Sequence, residues 1–123
     1  MITWNNLDKL TSYQELTKTN KVKLAEVMSG ENGAERVKNY SIPMAAGLAY
    51  NYAAKQVDEE VLAALGKLAE EAQLTEKFEA LYNGEVINTG EKRLVLHHMT
   101  RGQLGDAVEA DGVDKSAFYV EKQ

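Results

Sequence analysis

The feature that most constrains this chain is one apolar stripe. Val61, Leu62, Leu65, Leu68, Ala69 and Ala72 recur at helical spacing, and Lys67, Glu70 and Glu71 occupy the opposite face. A helix with a single apolar face has to bury it against another element. Asp58 stands where a side-chain carboxylate can accept the free N–H groups of the first turn. Glu59 and Glu60 suit the positive end of the helix dipole. A second helix runs through Leu74, Phe78, Leu81 and Tyr82, with Thr75 as its expected cap and Asn83-Gly84 as its stop. The spacing therefore predicts helices over 58–72 and 75–83.

The flanks supply what packs against them. Met1 to Thr11 leaves two readings open, a helix with Trp4, Leu7 and Leu10 on one stripe or a packed lead-in. Ser12-Tyr13-Gln14-Glu15 has the form of a capping box. Tyr13, Leu16, Leu24, Val27 and Met28 continue at helical spacing. The weak helix formers Thr17 to Asn20 leave one long helix or two short ones within 12–28. Ser29-Gly30-Glu31-Asn32-Gly33 is expected to end that region. The period then shortens. Val37, Tyr40 and Ile42 precede Pro43, the single proline, and Leu48, Tyr50 and Tyr52 alternate with Ala49, Asn51 and Ala53. This predicts a β-hairpin near 36–53, with Pro43 at a strand end where a missing N–H costs least. Asn88 or Thr89 is expected to cap a short helix near 91–100 containing Leu94, Val95, Leu96 and Met99. Arg101 to Gly112 reads as polar loop, and Asp114 opens a last helix begun at 115, whose apolar face is cut short at Gln123. The expected class is α+β, mostly helical, with helices packed on one hairpin. The 123 residues suit a single domain or fragment.

Composition excludes several functions. A net charge of −5 offers no nucleic-acid footprint. No run of about 18 apolar residues exists to span a membrane, and Met1 to Leu10 lacks the apolar core of a signal peptide. The chain has no cysteine, hence no disulfide framework and no thiolate ligand or nucleophile, and a cytoplasmic setting is the simplest expectation.

The candidate chemistry lies in 83–101, which holds both histidines. His97 and His98 are adjacent, so on a helix they point about 100° apart and make poor partners for one metal ion. A general-base role would need a nucleophile or substrate pocket, and the sequence shows none beside them. The expected reading is a buried His97 bonded to backbone next to an exposed His98. Arg93 and Arg101 would either form an anion site or pair with Glu85 and Glu91, and pairing is the preferred expectation. The Asp58-Glu59-Glu60 run reads as helix N-terminal acids, and Tyr40, Tyr50 and Tyr52 as cross-strand packing. Gly102-Gln103-Leu104-Gly105-Asp106 lacks the spacing of a phosphate loop. No cofactor is expected.

Three segments in order resemble the amino-terminal region of the glucose-6-phosphate isomerase (phosphoglucose isomerase) family, in a bacterial form. Gly84-Glu85-Val86-Ile87-Asn88 followed by Glu91-Lys92-Arg93-Leu94-Val95-Leu96-His97 resembles that family's G-E-x-I-N and T-E-x-R-x-V-L-H patterns, with Arg101 as the arginine shortly after. The run Leu48 to Ala53 resembles its strand ending in D-Y-S, and Arg36 with Tyr40 the arginine and aromatic that open its hairpin. Asp111-Gly112-Val113 also resembles it. Gly90 stands where the family has threonine, Asn51 where it has aspartate, and Ala54 where it has lysine, with Lys55 adjacent.

The resemblance implies two sugar-isomerase domains of α/β type, a homodimer, and interconversion of an aldose phosphate and a ketose phosphate through an enediol. It places the glutamate base, the ring-opening histidine and lysine, and the phosphate pocket outside this chain, in carboxy-terminal domains that would be its partners. No catalytic role is carried over. The signature residues Gly84, Glu85, Ile87, Asn88, Glu91, Arg93, Val95, Leu96, His97 and Arg101 are expected to be scaffold, and the segment inactive alone. The alternative is a free-standing interaction module without catalysis, and a weaker one a small histidine-dependent hydrolase.

Overall fold

A computed structural model describes residues 1–102, 107–110 and 112–121. In chain order its elements are α1 (Thr11–Leu16), α2 (Leu24–Val27), α3 (Gly30–Asn39), β1 (Ser41–Pro43), β2 (Ala49–Asn51), α4 (Glu59–Glu71), α5 (Leu74–Tyr82), β3 (Glu109–Ala110), β4 (Val113–Asp114) and α6 (Lys115–Val120). Short 3-10 turns lie at Leu7–Lys9, Ala45–Gly47 and His97–Arg101. The class is the expected one, helical with antiparallel hairpins. A second, two-residue hairpin pairs Glu109 with Asp114 and Ala110 with Val113, its first strand inside the segment read as loop and its second just beyond it. The chain divides into two compact units, Thr11–Lys67 and Met1–Leu10 with Leu68–Gln123.

In the unit Thr11–Lys67, the region 12–28 resolves into two short helices, as the weak formers between them allow. Ser12 is buried inside α1, one residue past its start, so it does not hold the cap position of a capping box. Glu15 instead faces Lys67 at 3.8 Å, both side chains largely exposed. The glycine-rich stretch does not end a helix but starts α3. Gly30 takes φ +61°, and a Cβ on Gly33 would strike the carbonyl oxygen of Met28. These glycines are joints that let α3 come close behind α2, not a stop.

Residues 36–39, expected in the hairpin, are the last turn of α3, where Arg36 and Lys38 suit the negative end of its dipole. The hairpin itself runs Ser41↔Asn51, Ile42↔Tyr50 and Pro43↔Ala49. Pro43 ends β1, as expected. Leu48 lies in the connecting turn, which Ala46 closes with a left-handed φ of 58°. The Arg36 side chain organises the passage from the hairpin to α4. Its Nε donates to Ala53 O at 2.8 Å, and its Nη2 donates to Lys55 O at 3.0 Å and Val57 O at 2.7 Å. The guanidinium also lies 4.1 Å from the Tyr40 ring centre. Asn51 Nδ2 reaches back to Val37 O, and Asn51 Oδ1 accepts from the Ala53 N–H. Helix, hairpin and the lead into α4 are thus tied by side-chain to backbone bonds. Asp58 Oδ1 accepts from the Val61 N–H at 2.9 Å and caps α4 as expected.

In the other unit, α5 begins after Gln73, whose left-handed φ of 54° turns the chain out of α4. Thr75 lies inside α5, so it is not the cap. Gln73 Oε1 accepts from both the N–H and the hydroxyl of Thr3, at 2.8 and 3.0 Å. The first residues are therefore a mostly exposed lead-in tied to Gln73, with Lys77 over the Trp4 ring and Leu10 buried. Asp114 caps α6, its Oδ1 accepting from the N–H groups of Ser116 and Ala117.

Candidate functional site

The stretch 83–101 is built from its helix stop outward. Gly84 comes after the cap residue of α5 with φ +72°. Its N–H donates to Leu81 O at 3.3 Å and the Glu85 N–H to Ala80 O at 2.9 Å. These two bonds satisfy free carbonyls of the last turn. A Cβ on Gly84 would overlap the Val108 side chain. The glycine is required twice, by its backbone and by what packs on it.

Next comes a tight loop in place of the expected helix. Asn88 and Arg93 form an isolated antiparallel bridge. Asn88 Oδ1 accepts from the Glu91 N–H at 3.2 Å, and Asn88 Nδ2 donates to the Glu91 carboxylate at 3.1 Å. Asn88 therefore caps a turn and not a helix, and Lys92 with φ +55° closes it. Ile87 lines an open apolar pocket with Trp4, Leu74, Phe78 and Leu81. Leu96, Met99 and Val108 form a small buried cluster, with Leu94 and Tyr119 against its edge. Val108 is anchored there by its N–H to Ser116 Oγ at 2.9 Å and by its carbonyl, which accepts from the Lys115 N–H. Val108 and Ser116 were not singled out by sequence. The available signal was that Val108 is a β-branched apolar residue within a mostly polar run.

The histidines sit the other way round from the expectation. His97 is exposed and His98 half-buried. The apolar positions Leu96 and Met99 turn the 3-10 segment so that His98 packs edge-on against Tyr82, at 4.8 Å between ring centres. Tyr82, His97, His98, Thr100 and Arg101 line an open cleft of about 470 Å³. The Thr100 hydroxyl donates to His97 O at 2.8 Å. Arg93 and Val95 do not line this cleft. Among the described residues no ion pair joins Arg93 or Arg101 to Glu85 or Glu91, and the Glu91 carboxylate accepts from Asn88 instead.

Chemically the cleft offers imidazoles, a guanidinium and a phenol, with no carboxylate among its described lining residues. Among the described residues no group of three or more His, Asp or Glu side chains is placed to hold a metal ion. Elsewhere Tyr40, Tyr50 and Tyr52 stack on one another, 4.9 and 6.2 Å apart, in place of a ligand shelf. Gly102 takes φ +107°, and residues 103–106 of the Gly-Gln-Leu-Gly-Asp run, like Asp111, lie outside the described residues. No described helix is long and apolar enough to cross a membrane.

Comparison with known proteins places these features. A family profile described as phosphoglucose isomerase matches residues 51–122. A glucose-6-phosphate isomerase of Treponema denticola is 52% identical over 122 residues, covering 95% of this chain and 23% of that protein. One of Treponema pallidum is 45% identical over 123 residues, covering 97% of this chain and again 23% of the relative. The crystal structure of a glucose-6-phosphate isomerase from Chlamydia trachomatis superposes with a TM-score of 0.72 at 27% identity, covering 96% of this chain and 24% of the other. The chain spans under a quarter of the length of each of these relatives.

Proposed function

Because the chain belongs to the phosphoglucose isomerase family, we propose that it is the amino-terminal segment of a glucose-6-phosphate isomerase. The parent enzyme would interconvert glucose 6-phosphate and fructose 6-phosphate in glycolysis and gluconeogenesis, as a cytoplasmic homodimer. The observation that carries this reading is the pairing of near-complete coverage of this chain with 23% coverage of the relative.

The role of the segment is scaffold. Aldose–ketose isomerisation moves a proton between neighbouring carbons and needs a positioned base and a clamp on the phosphate. The residues at hand are used otherwise. Gly84 and Glu85 close α5, Asn88, Glu91 and Arg93 close a turn, and Leu96 fills a core. Ile87 and Val95 are half-buried, while His97 and Arg101 lie at the surface of an open cleft. We assign none of them a catalytic role. The base and the phosphate clamp belong to the carboxy-terminal domains.

The test is an isomerase assay on the 123-residue chain alone, in both directions. No interconversion above background is expected. Any rate that scales with chain concentration contradicts the scaffold reading.

A further inference from the structure

The stripe that most constrains the fold is not fully covered by the chain itself. Leu65, in its middle, is 39% exposed. Beside it every residue of β1 and β2 is exposed, with Ile42 at 52% and Tyr50 at 48%. Ile42, Tyr50, Tyr52, Val57, Leu62 and Leu65 line one open groove of about 260 Å³, and no charged residue is among them. A two-stranded hairpin is marginal in water and needs a layer against its apolar face, and contiguous exposed apolar surface marks an interaction site.

The groove is also rigidly framed. Arg36 fixes the backbone from Ala53 to Val57 on one side. The Tyr40–Tyr52–Tyr50 stack and the Asn51 bond to Val37 O fix the hairpin on the other. A preorganised surface loses little freedom when it is covered.

We propose that this groove is the seat of an apolar segment from the remaining part of the same polypeptide, and this rests on the reading of the chain as part of an isomerase. Two observations favour that occupant over a second copy of the chain. The relatives are about four times longer, since the chain covers 23% of them, so most of the polypeptide is available to cover it. A tethered segment also acts at an effective concentration of order millimolar, while two copies each carrying −5 repel.

The test uses a chimera in which this chain replaces the matching segment of the Treponema denticola enzyme. Amide hydrogen exchange at residues 41–51 and 61–66 is compared between the chimera and the 123-residue chain. Exchange about tenfold or more slower in the chimera, and independent of concentration, is the expected result. Leu65→Gln and the milder Ile42→Thr should each lower the melting temperature of the chimera more than that of the chain alone. An active chimera whose hairpin exchanges as fast as the isolated chain overturns the groove assignment and leaves the isomerase reading standing. Protection that grows with concentration in the isolated chain assigns the groove to a second copy and overturns it too. An inactive chimera with a protected hairpin supports the groove and counts against the isomerase reading. An inactive, unprotected one counts against both.

Discussion

Replacing Arg36 should unlock the hairpin from the start of α4. Its side chain donates to three backbone carbonyls, those of Ala53, Lys55 and Val57, at 2.7 to 3.0 Å. Hydrogen bonds involving a charged group contribute about 1.5–3 kcal/mol each, and the low end applies to a half-buried side chain. The contact with the Tyr40 ring adds about 0.5–1 kcal/mol. The bonds share one side chain and are not additive. Ala53 is 2% exposed, so its carbonyl would be stranded at a cost of about 1–3 kcal/mol. Together these give a loss of about 3 kcal/mol for Arg36→Ala. Arg36→Lys should recover less than half, because one ammonium cannot span three carbonyls as a planar fork does. Urea denaturation monitored by circular dichroism gives the change, provided the slope of the transition is unaltered. Amide exchange at Ala53 and Lys55 gives it locally, and about 3 kcal/mol corresponds to roughly a hundredfold faster exchange. An Arg36→Ala variant within about 0.5 kcal/mol of the parent, with unchanged exchange there, would refute the reasoning.

Other substitutions separate required residues from tolerated ones. Gly84→Ala combines a φ of +72° with overlap on Val108 and should cost about 2–4 kcal/mol in thermal unfolding. Gly66→Ala, in the interior of α4 with nothing within 4 Å of the new Cβ, should stabilise by about 0.5–1 kcal/mol. His98→Ala removes the edge contact with Tyr82 and should cost about 1 kcal/mol. His97→Ala, at an exposed position, should stay within about 0.5 kcal/mol of the parent, and a larger loss there would contradict the observed orientation of the pair.

Where one local signal governed, the sequence was legible. The stripe with Asp58 became α4 with its cap, Asn83-Gly84 became the stop of α5, and Pro43 marked a strand end. Misreadings arose where a residue type serves two purposes. Glycines at 30–33 look like a stop but permit the close approach of α3 to Met28, and spacing does not distinguish a turn from a tight crossing. Leu94 to Met99 have helical spacing, yet Asn88 diverts the chain into a bridge with Arg93, and only a 3-10 turn forms beyond it. That diversion sets which histidine is covered. The sequence could not supply it, because it depends on Val108 arriving beneath Leu96 and Met99 from further along the chain. The candidate site was legible as a tightly specified stretch. That Asn88 and Glu91 are spent on a turn became visible only in the hydrogen bonds.

The most direct test of the account is the rate at which the chimera with the Treponema denticola enzyme, which is 52% identical over the exchanged segment, converts glucose 6-phosphate to fructose 6-phosphate. If this chain is the amino-terminal scaffold of such an enzyme, the chimera should turn over within about tenfold of the parent enzyme, since the chemistry is carried elsewhere. A chimera that folds and assembles as the parent does, yet shows no isomerisation, would contradict the account.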